Sequence, residues 1–224
     1  MSDSHEATPN GDLRVLQGGA PLYRATAAMV MLHGRGADAS DMLKLAEVLA
    51  QPDLAYLAPQ AMGRSWYPYS FLAPIVRNEP FLSSALEMVD RLLVRLVSDG
   101  LPLDKVVLLG FSQGACLELE YAARHARRYG ALVGLSGGLI GPDGTPRDYP
   151  GQFAGTPVLL GCSDTDPHIP LTRVHETARV FKKLGAVATE RIYPGMGHTI
   201  NDDEIFQVRT LLARLPVQRQ GLPN

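Results

Sequence analysis

Two glycines flank a serine in Gly110-Phe111-Ser112-Gln113-Gly114, placed directly after an apolar run and directly before a stretch with helical spacing. A strand, sharp turn and helix of this G-x-S-x-G kind holds a serine hydroxyl exposed at the carboxyl end of the strand. The helix N-terminus then faces any negative charge that develops there. The chemistry such a serine performs is nucleophilic attack. The pattern occurs a second time, in Gly134-Leu135-Ser136-Gly137-Gly138, also at the end of an apolar run. There the continuation is Leu139-Ile140-Gly141-Pro142-Asp143-Gly144, whose glycines and proline forbid an immediate helix. Ser112 is therefore the expected nucleophile, and Ser136 a strand-end residue beside the site.

A serine nucleophile needs a base that reaches it from the same edge of the sheet. Of the six histidines, His5 lies in a polar tail, His125 and His175 fall inside helical spacing, and His33 comes too early for the usual chain order. His198, in Gly195-Met196-Gly197-His198, sits between the last apolar run and the final helical stretch, where the base is expected. An acid should orient it from the loop Cys162-Ser163-Asp164-Thr165-Asp166-Pro167-His168-Ile169-Pro170. Spacing alone leaves Asp164 and Asp166 as rivals for the Nδ1 proton. Read as D-x-D-x-H, Asp164, Asp166 and His168 could begin a metal site, but no further His/Cys cluster completes it, so no metal is expected. The oxyanion of an acyl transfer would be met by two main-chain N–H groups. One is that of Gln113, after the nucleophile; the other is that of Arg35, in Leu32-His33-Gly34-Arg35-Gly36.

Six apolar runs read as strands over 25–32, 54–58, 105–110, 131–135, 157–161 and 187–193. They alternate with helical spacing over 40–50, 80–98, 113–128, 171–184 and 202–215. Such alternation predicts a mainly parallel sheet with right-handed helical crossovers and helices on both faces, a three-layer α/β/α sandwich. An antiparallel strand precedes these around 13–16, cut short by Gly18-Gly19. One domain is expected over 1–224, with fraying tails through about residue 11 and from about residue 216. The connection over 59–79 is long for a loop and too rich in rings for disorder. Its Trp66, Phe71 and Leu72 are expected to wall a substrate pocket, the alternative being that these side chains merely cap the sheet. A net charge of −2 and 20% charged residues offer nothing to a polyanion, so no nucleic acid is expected as partner. No apolar run is long enough to span a bilayer and the N-terminus has no secretory pattern, which predicts a cytoplasmic protein. Cys116 and Cys162 are read as small buried hydrophobes.

Four segments, Leu32 to Gly36, Gly110 to Gly114, Asp166 to Pro170 and Gly195 to His198, together resemble the phospholipase/carboxylesterase family. That family includes bacterial carboxylesterases and acyl-protein thioesterases, and the likeness runs from about residue 28 to about residue 212. The resemblance implies an α/β-hydrolase fold without a large cap domain, often dimeric and needing no cofactor. It also points to Asp166 as the acid, because the family's aspartate precedes a short segment ending in proline. Acyl-protein thioesterases usually carry an uncharged and then an acidic residue where this chain has Arg35 and Ala37, and their tryptophan segment differs from Ser65 to Tyr69. The expectation is thus a serine esterase acting on small-molecule esters of short to medium acyl length. A thioesterase or lysophospholipase with the same triad, or a hydrolase-fold binding protein without turnover, are the competing readings.

Overall fold

A computed structural model describes residues 14–215. The chain runs through strands β1 (Val15–Gly19), β2 (Ala27–Leu32), β3 (Leu54–Pro59), β4 (Val106–Phe111), β5 (Ala131–Leu135), β6 (Pro157–Ser163) and β7 (Val187–Tyr193). Its helices are α1 (Ala39–Leu49), α2 (Phe81–Ser98), α3 (Gln113–Arg124), α4 (Leu171–Lys183) and α5 (Asp202–Leu212). The strands form one sheet in the order β1-β3-β2-β4-β5-β6-β7, with β1 antiparallel to β3 and every other pair parallel.

Strands β2, β3 and β5 are buried at every position, as continuous apolar runs must be when helices cover both faces of a parallel sheet. Successive side chains leave opposite faces. Met29 and Met31 of β2 therefore pack with α1 and α5, whereas Val30 and Leu32 join the core built by α2, α3 and α4. The result is the three-layer α/β-hydrolase fold. Helix α1 begins at an Asp38–Asp41 capping box and α5 at an Asn201–Glu204 box, which satisfy first-turn amides and fix where the loops before them end.

From β3 the chain crosses over to β4, which lies on the other side of β2. At such a reversal of strand order the loops leave in opposite directions and a crevice opens beyond the carboxyl ends. The register Leu32↔Gly110 sets the loop after β2 beside the turn after β4.

Several boundaries differ from the sequence expectation. Strand β1 extends through Gly18 and Gly19, because Gly19 (φ 68°) pairs with Ala55 where a Cβ would lie 2.3 Å from the Leu54 carbonyl oxygen. Leu13 and both expected tails lie outside the described residues. Helix α3 stops at Arg124 and α5 at Leu212, and β2 starts at Ala27. No helix joins β5 to β6: residues 136–156 form a second long irregular connection. Arg173 Nη1 holds it by donating to the carbonyls of Leu139 (2.7 Å) and Gly141 (2.6 Å), and Glu120 accepts from the Ile140 amide (3.0 Å). Residues 59–79 contain two short 3-10 turns, Met62–Arg64 and Ile75–Asn78.

Candidate active site

Ser112 follows β4 directly, at the N-cap of α3, with φ 56° and ψ −119°, a conformation that is strained for a residue with a side chain. Its neighbours hold it there: the Ser112 amide donates to the Leu135 carbonyl (2.9 Å) and its own carbonyl accepts from the Cys116 amide (3.0 Å). The flanking glycines are required by contact rather than by φ. A Cβ on Gly110 would lie 2.4 Å from the Ala115 nitrogen, and one on Gly114 would lie 2.1 Å from the Leu32 carbonyl oxygen. Helix α3 can therefore touch both its own strand and β2 only because these two positions lack side chains.

His198 Nε2 lies 2.8 Å from Ser112 Oγ, and His198 Nδ1 lies 2.7 Å from Asp166 Oδ2. With Nδ1–H donated to the carboxylate, Nε2 is the acceptor for the serine hydroxyl. The other oxygen of Asp166 accepts the amides of His168 (2.8 Å) and Ile169 (3.0 Å). Burial disfavours the Asp166 charge, but the His198 hydrogen bond and these two amides outweigh it and hold the carboxyl below its usual range. Asp164 does something else: its Oδ1 accepts the Gly195 amide (2.8 Å), while Ser163 Oγ accepts that of Gly197 (3.1 Å). Both bonds tie the histidine loop to β6. Asp164, Asp166 and His168 do not converge, and among the described residues no three His, Cys, Asp or Glu side chains form a metal set.

Gln113 is the first residue of α3, so its amide has no intrahelical acceptor. Across from it, a Cβ on Gly34 would come within 3.3 Å of Ser112 Cβ, which brings the Arg35 segment against the nucleophile. His33 is buried beneath that loop, with Nδ1–H donating to the Gly34 carbonyl (2.8 Å) and Nε2 accepting the Ala61 amide (3.1 Å). Burial lowers its pKa, and both ring nitrogens suit the neutral form. Ser136 is buried just past the end of β5, its amide donating to the Gly161 carbonyl (2.7 Å), and it is not part of the lining of the cleft above Ser112.

A cleft of about 420 Å³ opens over Ser112 and His198, walled by Arg35, Tyr67, Pro68, Tyr69, Phe71 and Ile169, with Cys116 and His168 also contributing. Phe71 is part of this lining. Trp66 is not: its ring is wholly buried against His33 and its Nε1–H donates to the His33 carbonyl (2.8 Å). Leu72 is half-buried against the core and also lies outside the lining. The reason is local. Residues 65–72 follow a path of turns rather than a strand, so side-chain direction could not be read from spacing, and the largest ring went inward where its N–H finds a carbonyl. Cys116 is buried as expected, its thiol pushed up to about 12 by desolvation, yet it also reaches the cleft.

The sequence from residue 19 to residue 215 matches the phospholipase/carboxylesterase family. The chain belongs to that family. Among solved structures, a phospholipase/carboxylesterase from Dyadobacter fermentans shares 42% identity over 91% of this chain and 97% of its own, with a TM-score of 0.87. Acyl-protein thioesterase 1 of Gibberella zeae is 28% identical over 62% of this chain, an alignment that spans 61% of that protein's length. Carboxylesterase SOBER1 of Arabidopsis thaliana is 26% identical over 69% of each chain. The phospholipase/carboxylesterase family is hydrolytic, and esterase and thioesterase names both occur among these relatives. No helix among the described residues is long and apolar enough to cross a membrane.

Proposed function

We propose that this protein hydrolyses carboxylic esters of short to medium acyl length through an acyl-Ser112 intermediate. The observation that carries the reading is the unbroken relay from Ser112 Oγ through His198 to Asp166, at 2.8 and 2.7 Å. Ser112 attacks the ester carbonyl while His198 Nε2 takes the hydroxyl proton, and Asp166 stabilises the imidazolium that results. The amides of Gln113 and Arg35 receive the oxyanion. Collapse of the tetrahedral species breaks the C–O bond, and His198 returns the proton to the departing alcohol. Water then repeats the sequence on the acyl-serine, releasing the acid and restoring the hydroxyl. The acyl-protein thioesterase name among the relatives supports thioester substrates as the second reading, with lysophospholipids beside them because the same atoms perform those cleavages.

The test is covalent. A stoichiometric organophosphonate should label Ser112 and abolish p-nitrophenyl ester hydrolysis, and Ser112→Ala should take no label and lose about 10⁴-fold to 10⁶-fold in turnover. Labelling elsewhere, or activity retained in the variant, would overturn the assignment. Acyl-CoA and lysophospholipid, run beside the ester series, separate the two substrate readings.

A further inference from the structure

The side chains of Arg35 and Gln113 are turned away from the oxyanion position and onto the cleft wall. Arg35 Nη1 donates to the Pro68 carbonyl (2.8 Å), and Nη2 donates to those of Tyr67 (3.0 Å) and Tyr69 (2.7 Å). Gln113 Nε2 donates to the same Tyr67 carbonyl (2.7 Å), and its Oε1 accepts the Trp66 amide (3.0 Å). Ser65 Oγ adds a third donor to Tyr67 O at 2.9 Å. From the far side, buried Asn78 accepts the Tyr69 amide (2.8 Å) and donates to the Ser70 carbonyl (3.1 Å). Among the described residues the wall segment has no strand partner; these side chains take the place of a ladder.

We propose that the Arg35 guanidinium is a positioning residue that fixes the wall Tyr67–Tyr69 in register with the oxyanion donors and so sets acyl-length selectivity. The proposal rests on the esterase reading above. A planar fork with several N–H groups can span three successive carbonyls, whereas an ammonium is a point charge on a flexible stem and cannot hold all three. Any residue at 35 except proline keeps the main-chain N–H, so the side chain can be removed without removing the oxyanion donor.

Trp66 is the sole tryptophan, is wholly buried and directly precedes the clamped segment, which makes its fluorescence a report on the wall that needs no activity. In Arg35→Ala, acrylamide quenching of Trp66 should rise several-fold. The preference for hexanoyl over decanoyl esters, as a ratio of kcat/KM, should narrow by about tenfold, with acetyl ester turnover less affected because acetyl touches little of the wall. Guanidinium ion at sub-denaturing concentration should restore both, and Arg35→Lys should fall between wild type and alanine. Unchanged quenching overturns the clamp whatever the activity. Raised quenching with an unchanged ratio, or an equal loss at every acyl length that guanidinium does not restore, overturns the claim on selectivity. A wild-type protein inert to esters and to organophosphonate overturns the esterase reading instead, and leaves the quenching result to judge the clamp.

Discussion

Asp164 and Asp166 stand two residues apart at the same loop, and what separates them is which lone pairs are engaged. Asp166 gives one oxygen to two main-chain amides and the other to His198, whereas Asp164 serves the Gly195 amide. In Asp166→Asn the amide oxygen can keep the two main-chain donors, which turns the NH₂ toward Nδ1. His198 must then carry its proton on Nε2 and cannot accept from Ser112. Turnover should fall by about 10⁴ while the fold persists. Asp164→Asn retains an acceptor for Gly195 and should stay within about tenfold of wild type. Steady-state kinetics on one ester decides the matter, and a larger loss at Asp164 would reverse the roles. The serine and histidine stand out in the sequence because their loops are bracketed by glycines and follow apolar runs. The choice of aspartate does not, since both residues satisfy the same spacing, and neither do the carbonyls that Arg35 grips, since every residue has one.

At the scale of elements, the alternation of apolar runs and helical spacing made the parallel sheet legible, because a strand buried on both faces must be apolar throughout. The connections were harder to read. Residues 136–156 have no helix because glycine and proline interrupt them, and what orders them instead is distant in sequence: Arg173 and Glu120. The elbow itself is a packing device, and its glycines can be tested against one that is needed only for its turn. Gly114→Ala drives a methyl group into the Leu32 carbonyl, backbone that belongs to a central strand and cannot yield, so it should cost about 3 kcal/mol or more. Gly110→Ala should behave likewise. Gly36 has a positive φ (81°) but open space around its would-be Cβ, so Gly36→Ala should cost only about 1 kcal/mol. Denaturant midpoints at constant m-value measure all three, and equal costs would show that the helix-to-strand contact is softer than it looks.

At the scale of the whole molecule, a buried carboxyl on α3 works against stability. Glu118 on α3 is wholly buried, neither carboxyl oxygen has a hydrogen-bond partner among the described residues, and desolvation raises its pKa well above the usual carboxylate value. The folded state thus keeps a proton that the unfolded chain releases above about pH 4.5. Stability from this group falls as pH rises, by up to about 1.4 kcal/mol per unit. Glu118→Leu should therefore stabilise the protein, and the gain in Tm should widen as the pH rises above about 4.5. A gain that does not change with pH would mean the carboxyl has found a partner.

On the esterase reading proposed above, the size of the cleft is what should set substrate choice at the same scale. An open groove would add about 0.8 kcal/mol for each acyl methylene it buries, and kcat/KM would climb steadily with chain length. Here the space above Ser112 is about 420 Å³, and Phe71 closes part of it, its carbonyl accepting the Gly141 amide (2.7 Å) and its ring lying 5.9 Å from the Arg173 guanidinium carbon. The main chain at Phe71 is thus tied to the connection between β5 and β6, and its ring lies against Arg173, which also holds that connection. The kcat/KM series should accordingly peak within about acetyl to hexanoyl and then fall. Phe71→Ala should move the peak to longer chains. Leu72→Ala, which alters a residue outside the lining, should leave it in place. A kcat/KM still rising at palmitoyl in the wild-type enzyme would show that the acyl chain leaves by another path, and would favour the thioesterase and lysophospholipase reading.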